Sequence, residues 1–437
     1  KVLKFGGTSV GTPQRMKEVA KLITDGEKKI VVLSAMSGTT NSLVEISDYL
    51  YKKNPDGANE VINALETKYK RHINELYSTE EYKNKTLALV KDIFNGIRAF
   101  TKDIFTLFEE KVILAQGELI STNMVTNYLL EQGVNVVLLP ALEFMRTDKN
   151  AEPDLVYIKN KLGAQLEMHP DADIYITQGY ICRNAYGEVD NLQRGGSDYS
   201  ASLIGAAANA SEIQIWTDID GMHDNDPRIV EKTSPVRQLH FEEAAELAYF
   251  GAKILHPTCI QPAKYANIPV RLLNTMEPTA PGTLISNDTE LGKIKAVAAK
   301  DNITAIQIKS GRMLLAYGFL RKVFEIFESY QTSIDMICTS EVGVSVSIDD
   351  TKHLNEIVND LKKYGIVTVD HDMCIICVVG DLRWENVGFE AKALDAMREI
   401  PVRMISFGGS DYNISFLVSK DDKKRALQSL SDHLFNH

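Results

Sequence analysis

The chain has 437 residues, 44% of them hydrophobic and 24% charged, with a formal net charge of -11. The length predicts about two or three domains of ordinary globular composition. The acidic balance excludes nucleic acid as the main partner, since a phosphate backbone needs a basic surface. No stretch approaches the roughly 18 continuous apolar residues of a membrane span, so no membrane partner is expected. The first residues lack the basic and apolar regions of a signal peptide. Five cysteines scattered through a long chain fit a reducing compartment, and a cytoplasmic location is expected.

In chain order, KVLKFGGTSVG (1–11) reads as an apolar strand containing Lys4, followed by glycines and hydroxyls. Gly6 and Gly7 lack a Cβ, so the backbone can turn sharply and bring its N–H groups close to a ligand. Thr12-Pro13 reads as an N-cap with proline in the first turn, and Met16, Val19, Ala20 and Ile23 follow at helical spacing. Strand, glycine turn and helix together offer an anion both N–H donors and a helix dipole. The alternative is a plain strand-to-helix turn with a surface lysine. Neither GxxxxGK[ST] nor GxGxxG is present here.

Fully apolar runs predict strands at 30–34, 134–140, 173–181, 212–218 and 268–274, buried on both faces in a parallel sheet between helices. Residues 58–130 read as helical over more than one crossover, so part of them is expected to form an insertion or a lid-like lobe. After MEPTAPGT (276–283) the texture changes to short strands and amphipathic helices in two echoing units. The first has strands at 304–309, 334–340, 343–349 and 366–370, with helices at 319–330 and 352–364. The second has strands at 375–380, 402–407 and 413–418, with helices at 387–399 and 422–435. This is an internal repeat of a ferredoxin-like unit. The second unit lacks a closing strand in sequence order, and the leftover segment IKAVAAK (294–300) is expected to supply it. Cys374 and Cys377 form a CxxC inside a strand, where they point to opposite faces, and nothing nearby completes a zinc site.

Five stretches occur in order: KFGGTSV, QGELIS (116–121), LQRGGSDYSA (192–201), WTDIDGMHDNDPR (216–228) and FGAKILHP (250–257). Together they resemble the aspartate kinases of the amino-acid kinase family, and the C-terminal repeat resembles the paired ACT domains that regulate those enzymes. The resemblance implies an α/β fold, with a three-layer αβα sandwich and mainly parallel sheet over 1–290. It further implies two ferredoxin-like βαββαβ ACT domains, one at 301–372 and one formed by 294–300 with 373–437. The implied reaction is transfer of the ATP γ-phosphoryl group to the β-carboxylate of L-aspartate, the first step toward lysine, threonine and methionine.

By the same resemblance, Lys4 bridges donor and acceptor in the transition state, and Asp198 orients it. Phe5, Gly6, Gly7, Thr8 and Ser9 belong to the phosphate loop. Arg194 is assigned the substrate α-carboxylate and Glu118 the α-ammonium, with a helix-surface glutamate as the alternative. Ser34, Thr40, Gly195, Gly196 and Ser197 are expected at the reacting carboxylate. Thr217, Asp218, His223, Asp226, Arg228, Lys253 and Ile254 are expected at the nucleotide, His223 standing where the family commonly has tyrosine. Mg²⁺ is expected on the phosphates, with no protein ligand assigned. The stretch 313–341 resembles that of lysine-inhibited members. It implies an L-lysine site of Met313, Ala316, Phe319, Leu320, Ser333, Ile334, Asp335, Ser340 and Glu341, at an interface that makes the protein at least a homodimer. Threonine is the competing effector, and Met313 and Phe319 as plain core are the competing reading. A catalytically silent amino-acid sensor, or a kinase of this fold with another acceptor, is the alternative function.

Overall fold

The continuous apolar runs form strands that are covered on both sides. In the computed structural model, which describes residues 1–193, 195–252, 255–311 and 317–435, the chain divides into two units. One is Lys1–Met222 with Leu255–Asn287, and the other is His223–Ile254 with Asp288–His437. The sheet of the first unit runs Thr283–Ser286, Val270–Asn274, Ile213–Thr217, Val2–Phe5, Lys29–Leu33, Ile174–Gln178, Val136–Leu139. Every pairing is parallel except that between Val270–Asn274 and Thr283–Ser286. All residues of Lys29–Leu33 and Ile174–Gln178 are buried. Since successive side chains point to opposite faces, both faces of the sheet are covered, as a three-layer αβα sandwich requires.

The long helical stretch consists of Pro55–Leu76, Glu80–Ala99 and Leu107–Glu131. Ile62, Tyr69, Phe94 and Met124 belong to the same hydrophobic core as Leu3, Val31 and Ile176. The lid-like lobe expected there is therefore not a separate body, because its apolar stripes are sunk into the core of the sheet.

The second unit carries an antiparallel sheet in the order Ile337–Thr339, Gly343–Ile348, Ile294–Lys309, Ile366–Gly380, Asn413–Ser419, Met404–Phe407. Residues 294–300 pair with 375–380, and 305–309 with 366–370. The strands expected separately thus join into two long ones that cross both halves of the sheet. No glycine or proline interrupts them. Instead Asn302 (φ 59°) and Asp372 (φ 55°) take the left-handed conformation at the register shift after Lys300, a geometry that Asn and Asp tolerate better than most residues. Two cores lie along this sheet. One gathers Ile306, Phe319 and Phe327, the other Cys374, Ile376 and Phe416. The segment His223–Ile254 joins this unit through Val230, which belongs to the second of those cores, and through Asn225, whose Nδ2 donates to the Leu427 carbonyl at 3.0 Å. Cys374 and Cys377 are both fully buried, and burial pushes the Cys374 thiol up to about 12, so both are protonated core side chains. Among the described residues no helix is long and apolar enough to cross a membrane.

Candidate active site

Lys4 sits in the strand Val2–Phe5, between Lys29–Leu33 and Ile213–Thr217, and is 9% exposed. Its ammonium lies 2.9 Å from Asp198 Oδ1. Asp198 stands in the first turn of the helix Gly196–Ala207, where the helix dipole also favours its negative charge. The glycine turn after the strand is locked to the turn after Lys29–Leu33. Ser34 N–H donates to the Phe5 carbonyl at 3.2 Å and Ser37 N–H to the Gly7 carbonyl at 3.1 Å. A Cβ on Gly7 would stand 2.9 Å from the Ala35 carbonyl oxygen, and one on Gly6 would stand 3.4 Å from Lys4 Nζ. Gly7 thus needs to be glycine, because a side chain there would strike the backbone of the neighbouring turn.

Beside this turn opens a cleft of about 310 Å³ lined by Gly7, Ser34, Thr40, Glu118, Gly196 and Ser197, all singled out from the sequence. Ser34 Oγ donates to Ser197 Oγ at 2.9 Å, and Ser121 Oγ holds the Ser34 carbonyl at 2.7 Å. Glu118, on Leu107–Glu131, is 4% exposed, and its Oε2 is buried with no hydrogen-bond partner. Burial pushes its pKa up to about 8, against the pull of backbone hydrogen bonds from its own amide and that of Ala35. It is therefore no helix-surface glutamate. A buried carboxyl with a spare oxygen facing a cleft calls for a cationic partner.

Sequence reasoning missed two contributors. Tyr180 also lines the cleft and holds φ at 72°, with its N–H donated to Ser200 Oγ at 2.9 Å. A left-handed tyrosine is backbone strain of the kind that gathers at functional sites. Cys259 is buried, and a Cβ built on Gly195 (φ 72°) would fall 1.8 Å from its Sγ. The cysteine thus sets the turn that starts the Asp198 helix. Gly195→Ala is expected to cost about 1–3 kcal/mol of stability and to lower turnover about 10²-fold through misplacement, measured by thermal unfolding and steady-state rates.

The remaining candidates are placed as follows. Phe5 is fully buried and stacks on Trp216 with centroids 5.7 Å apart. Ser9 is buried, with Oγ 3.4 Å from Thr275 Oγ1, while Thr8 is exposed. In the first unit Thr217 Oγ1 lies 3.3 Å from Ile219 N, and Asp218 is exposed. In the second unit His223 Nδ1 meets Thr233 Oγ1 at 2.9 Å, and Asp226 takes a forked pair from Arg228 at 3.0 and 2.8 Å. Arg194, Lys253, Ile254, Met313 and Ala316 lie outside the described residues.

For the expected effector site, Phe319 is 8% exposed and belongs to a core, so the plain-core reading describes its side chain. Leu320 is 38% exposed; Ser333, Ser340 and Glu341 are exposed, and Ile334 packs against the same core as Phe319. Asp335 is already engaged within the chain. Its Oδ1 accepts from Tyr249 at 2.7 Å and from Lys300 at 3.1 Å, while Oδ2 is buried without a partner. Lys300 also pairs with Asp349 at 2.9 Å. Asp335→Ala is expected to destabilise by only about 1–3 kcal/mol, because Lys300 keeps Asp349; denaturant unfolding measures it.

Residues 1–274 match the amino acid kinase family and residues 376–434 an ACT domain. Over 99% of its length the chain is 35% identical to aspartokinase 1, chloroplastic, of Arabidopsis thaliana, 80% of which is covered. It is 32% identical to lysine-sensitive aspartokinase 3 of Escherichia coli (strain K12), over 99% of each chain. The crystal structure of E. coli aspartokinase III in complex with aspartate and ADP (R-state) matches with a TM-score of 0.83 at 32% identity, covering 100% of this chain and 99% of that one. The complex of the same protein with lysine and aspartate (T-state) matches with a TM-score of 0.80 over the same shares at 32% identity.

Proposed function

The chain belongs to the amino-acid kinase family, and within it to the aspartokinases, and from that premise we propose that it phosphorylates the β-carboxylate of L-aspartate with ATP. The product is 4-phospho-L-aspartate, the first intermediate toward lysine, threonine and methionine. The observation that carries the reading is the Lys4 ammonium, buried 2.9 Å from Asp198 where the glycine turn meets a cleft that also holds Glu118 with its unpartnered Oε2.

A β-carboxylate oxygen attacks the γ-phosphorus, the bond to the β–γ bridging oxygen breaks, and ADP departs with that electron pair. The acceptor is already deprotonated at neutral pH, so no general base is needed and catalysis rests on position and charge. Lys4 supplies the cation against the equatorial phosphoryl oxygens, and Asp198 holds that cation in line. Glu118 receives the α-ammonium, Arg194 the α-carboxylate, and Ser34, Thr40, Gly195, Gly196 and Ser197 the reacting end. Thr217, Asp218, His223, Asp226, Arg228, Lys253 and Ile254 serve the nucleotide. Among the described residues no three His, Cys, Asp or Glu side chains gather as a metal cage. Mg²⁺ would be held mainly by the phosphate oxygens of ATP and by water, and would supply charge neutralisation there.

L-Lysine is the proposed feedback inhibitor, acting at the 313–341 stretch of paired ACT domains in a homodimer. The support is the likeness to a relative whose crystal structure contains lysine with aspartate. Phosphorus NMR of chain, ATP, Mg²⁺ and L-aspartate tests the reaction. An acyl-phosphate resonance that needs L-aspartate, and that L-lysine suppresses, is the expected result. ADP formation independent of aspartate would overturn it.

A further inference from the structure

The geometry points to Lys68 as a specificity-determining residue that meets the side-chain carboxylate of the acceptor, an inference that rests on the kinase reading above. Lys68 lies on Pro55–Leu76, a helix to which the five motifs assign no role. Its ammonium is 3.4 Å from the Ser37 carbonyl oxygen, and a Cβ on Gly38 would stand 3.9 Å from it. Ser37 and Gly38 both line the cleft. The half-buried Lys68 is thus aimed at the rim of the cleft from outside the five motifs.

Two features distinguish this lysine from surface charge. First, it is anchored. The next residue, Tyr69, is 1% exposed, packs against Phe94, and meets Thr39 Oγ1 through its hydroxyl at 2.6 Å. That contact ties the helix to the loop forming the cleft wall, so the position of Lys68 is set by buried packing. Second, unlike other unpaired lysines it stands against the wall of a cleft, 3.4 Å from the Ser37 carbonyl oxygen, with no carboxylate to neutralise it there. Lys4, Lys111 and Lys300 each face a carboxylate, Asp198, Asp190 and Asp335 respectively. Among the described residues Lys68 has no ion-pair partner, only a carbonyl at a distance long for a hydrogen bond. Gly38, at φ 83°, also heads the helix Thr39–Tyr51, whose N-terminal end adds positive potential at the same rim.

With Glu118 taking the ammonium, a cation at the Ser37–Gly38 rim favours an amino acid carrying a second negative charge over its neutral amide. The test compares Lys68→Gln and Lys68→Arg with the unaltered full chain. Lys68→Gln is expected to raise KM for L-aspartate about tenfold, the order of a lost hydrogen bond to a charged group. Competitive inhibition by L-asparagine, KM for ATP and the thermal midpoint should hold within about twofold. Lys68→Arg should restore most of the loss. Aspartate and asparagine weakened alike, or neither changed, would overturn the assignment while leaving the kinase reading intact. An unaltered chain that phosphorylates nothing in the presence of aspartate would overturn both.

Discussion

Lys4→Met is expected to lower kcat by about 10²–10³-fold, with KM for both substrates changed far less. Methionine keeps most of the volume of the side chain, so the strand and its neighbours retain their packing. What is removed is the ammonium, the group proposed to face the phosphoryl charge as it develops. Lys4→Arg should not rescue, because the planar guanidinium is wider than an ammonium and cannot keep the same point contact with Asp198 that the buried Lys4 makes. The loss also leaves Asp198 without its counter-charge. Both side chains retain some exposure, 11% and 17%, so a stability cost of about 1–3 kcal/mol is expected rather than that of a fully buried pair. Lys4→Met/Asp198→Asn should recover stability without recovering rate, and that separation of the two readouts distinguishes catalysis from folding.

The second large effect concerns Glu118 and pH. Burial raises its pKa from 4.5 to about 8, so at neutral pH the ligand-free protein holds the carboxyl mostly protonated. If Glu118 receives the acceptor's ammonium as proposed, binding needs the charged form and displaces the proton. KM for L-aspartate should therefore be roughly tenfold higher at pH 7 than at pH 9, flattening above about pH 8, and kcat/KM should report the same group. In the free protein the linkage has the opposite sense. A carboxyl whose folded pKa lies above its unfolded value withdraws stability as pH rises from 4.5 to about 8. Saturating aspartate should reverse that decline. Glu118→Gln should abolish both pH effects and raise KM by about 10²-fold or more, since a buried ammonium would lose its counter-charge. A Glu118→Gln variant with wild-type pH dependence would place the titrating group elsewhere.

Most of the architecture was readable because burial on two faces writes continuous Val, Ile and Leu runs. Residues 30–34 and 212–218 became Lys29–Leu33 and Ile213–Thr217, each one residue or so from the expected bounds. The glycine and serine motifs were readable because close backbone approach restricts residue type, as at Gly7 and Gly195. Joined strands were not, because Asn302 and Asp372 carry a kink without the glycine or proline that normally marks a break. Nor was the integration of the helical stretch. An amphipathic stripe shows that a helix has a buried face but not which core receives it, and Tyr69 finds Thr39 across 30 positions of sequence. Lys68 escaped for the same reason, since a lysine on an amphipathic helix reads as solvated until the fold brings it to a cleft. Asp335 shows the converse. Its charge and place suggested a ligand, while its engagement by Tyr249 and Lys300 depends on residues 86 and 35 positions away.

Lys4 and its cleft are proposed to move a phosphoryl group onto the side chain of L-aspartate. The most direct test of this role is ATP-dependent acyl-phosphate formation trapped with hydroxylamine, run on the full chain and on Lys4→Met with Mg²⁺ and L-aspartate. The account predicts aspartyl hydroxamate from the full chain, suppressed by L-lysine, and a rate lower by about 10²–10³-fold from the variant. A folded chain that yields no hydroxamate from aspartate, or a Lys4→Met variant that yields it at the same rate, would overturn that role.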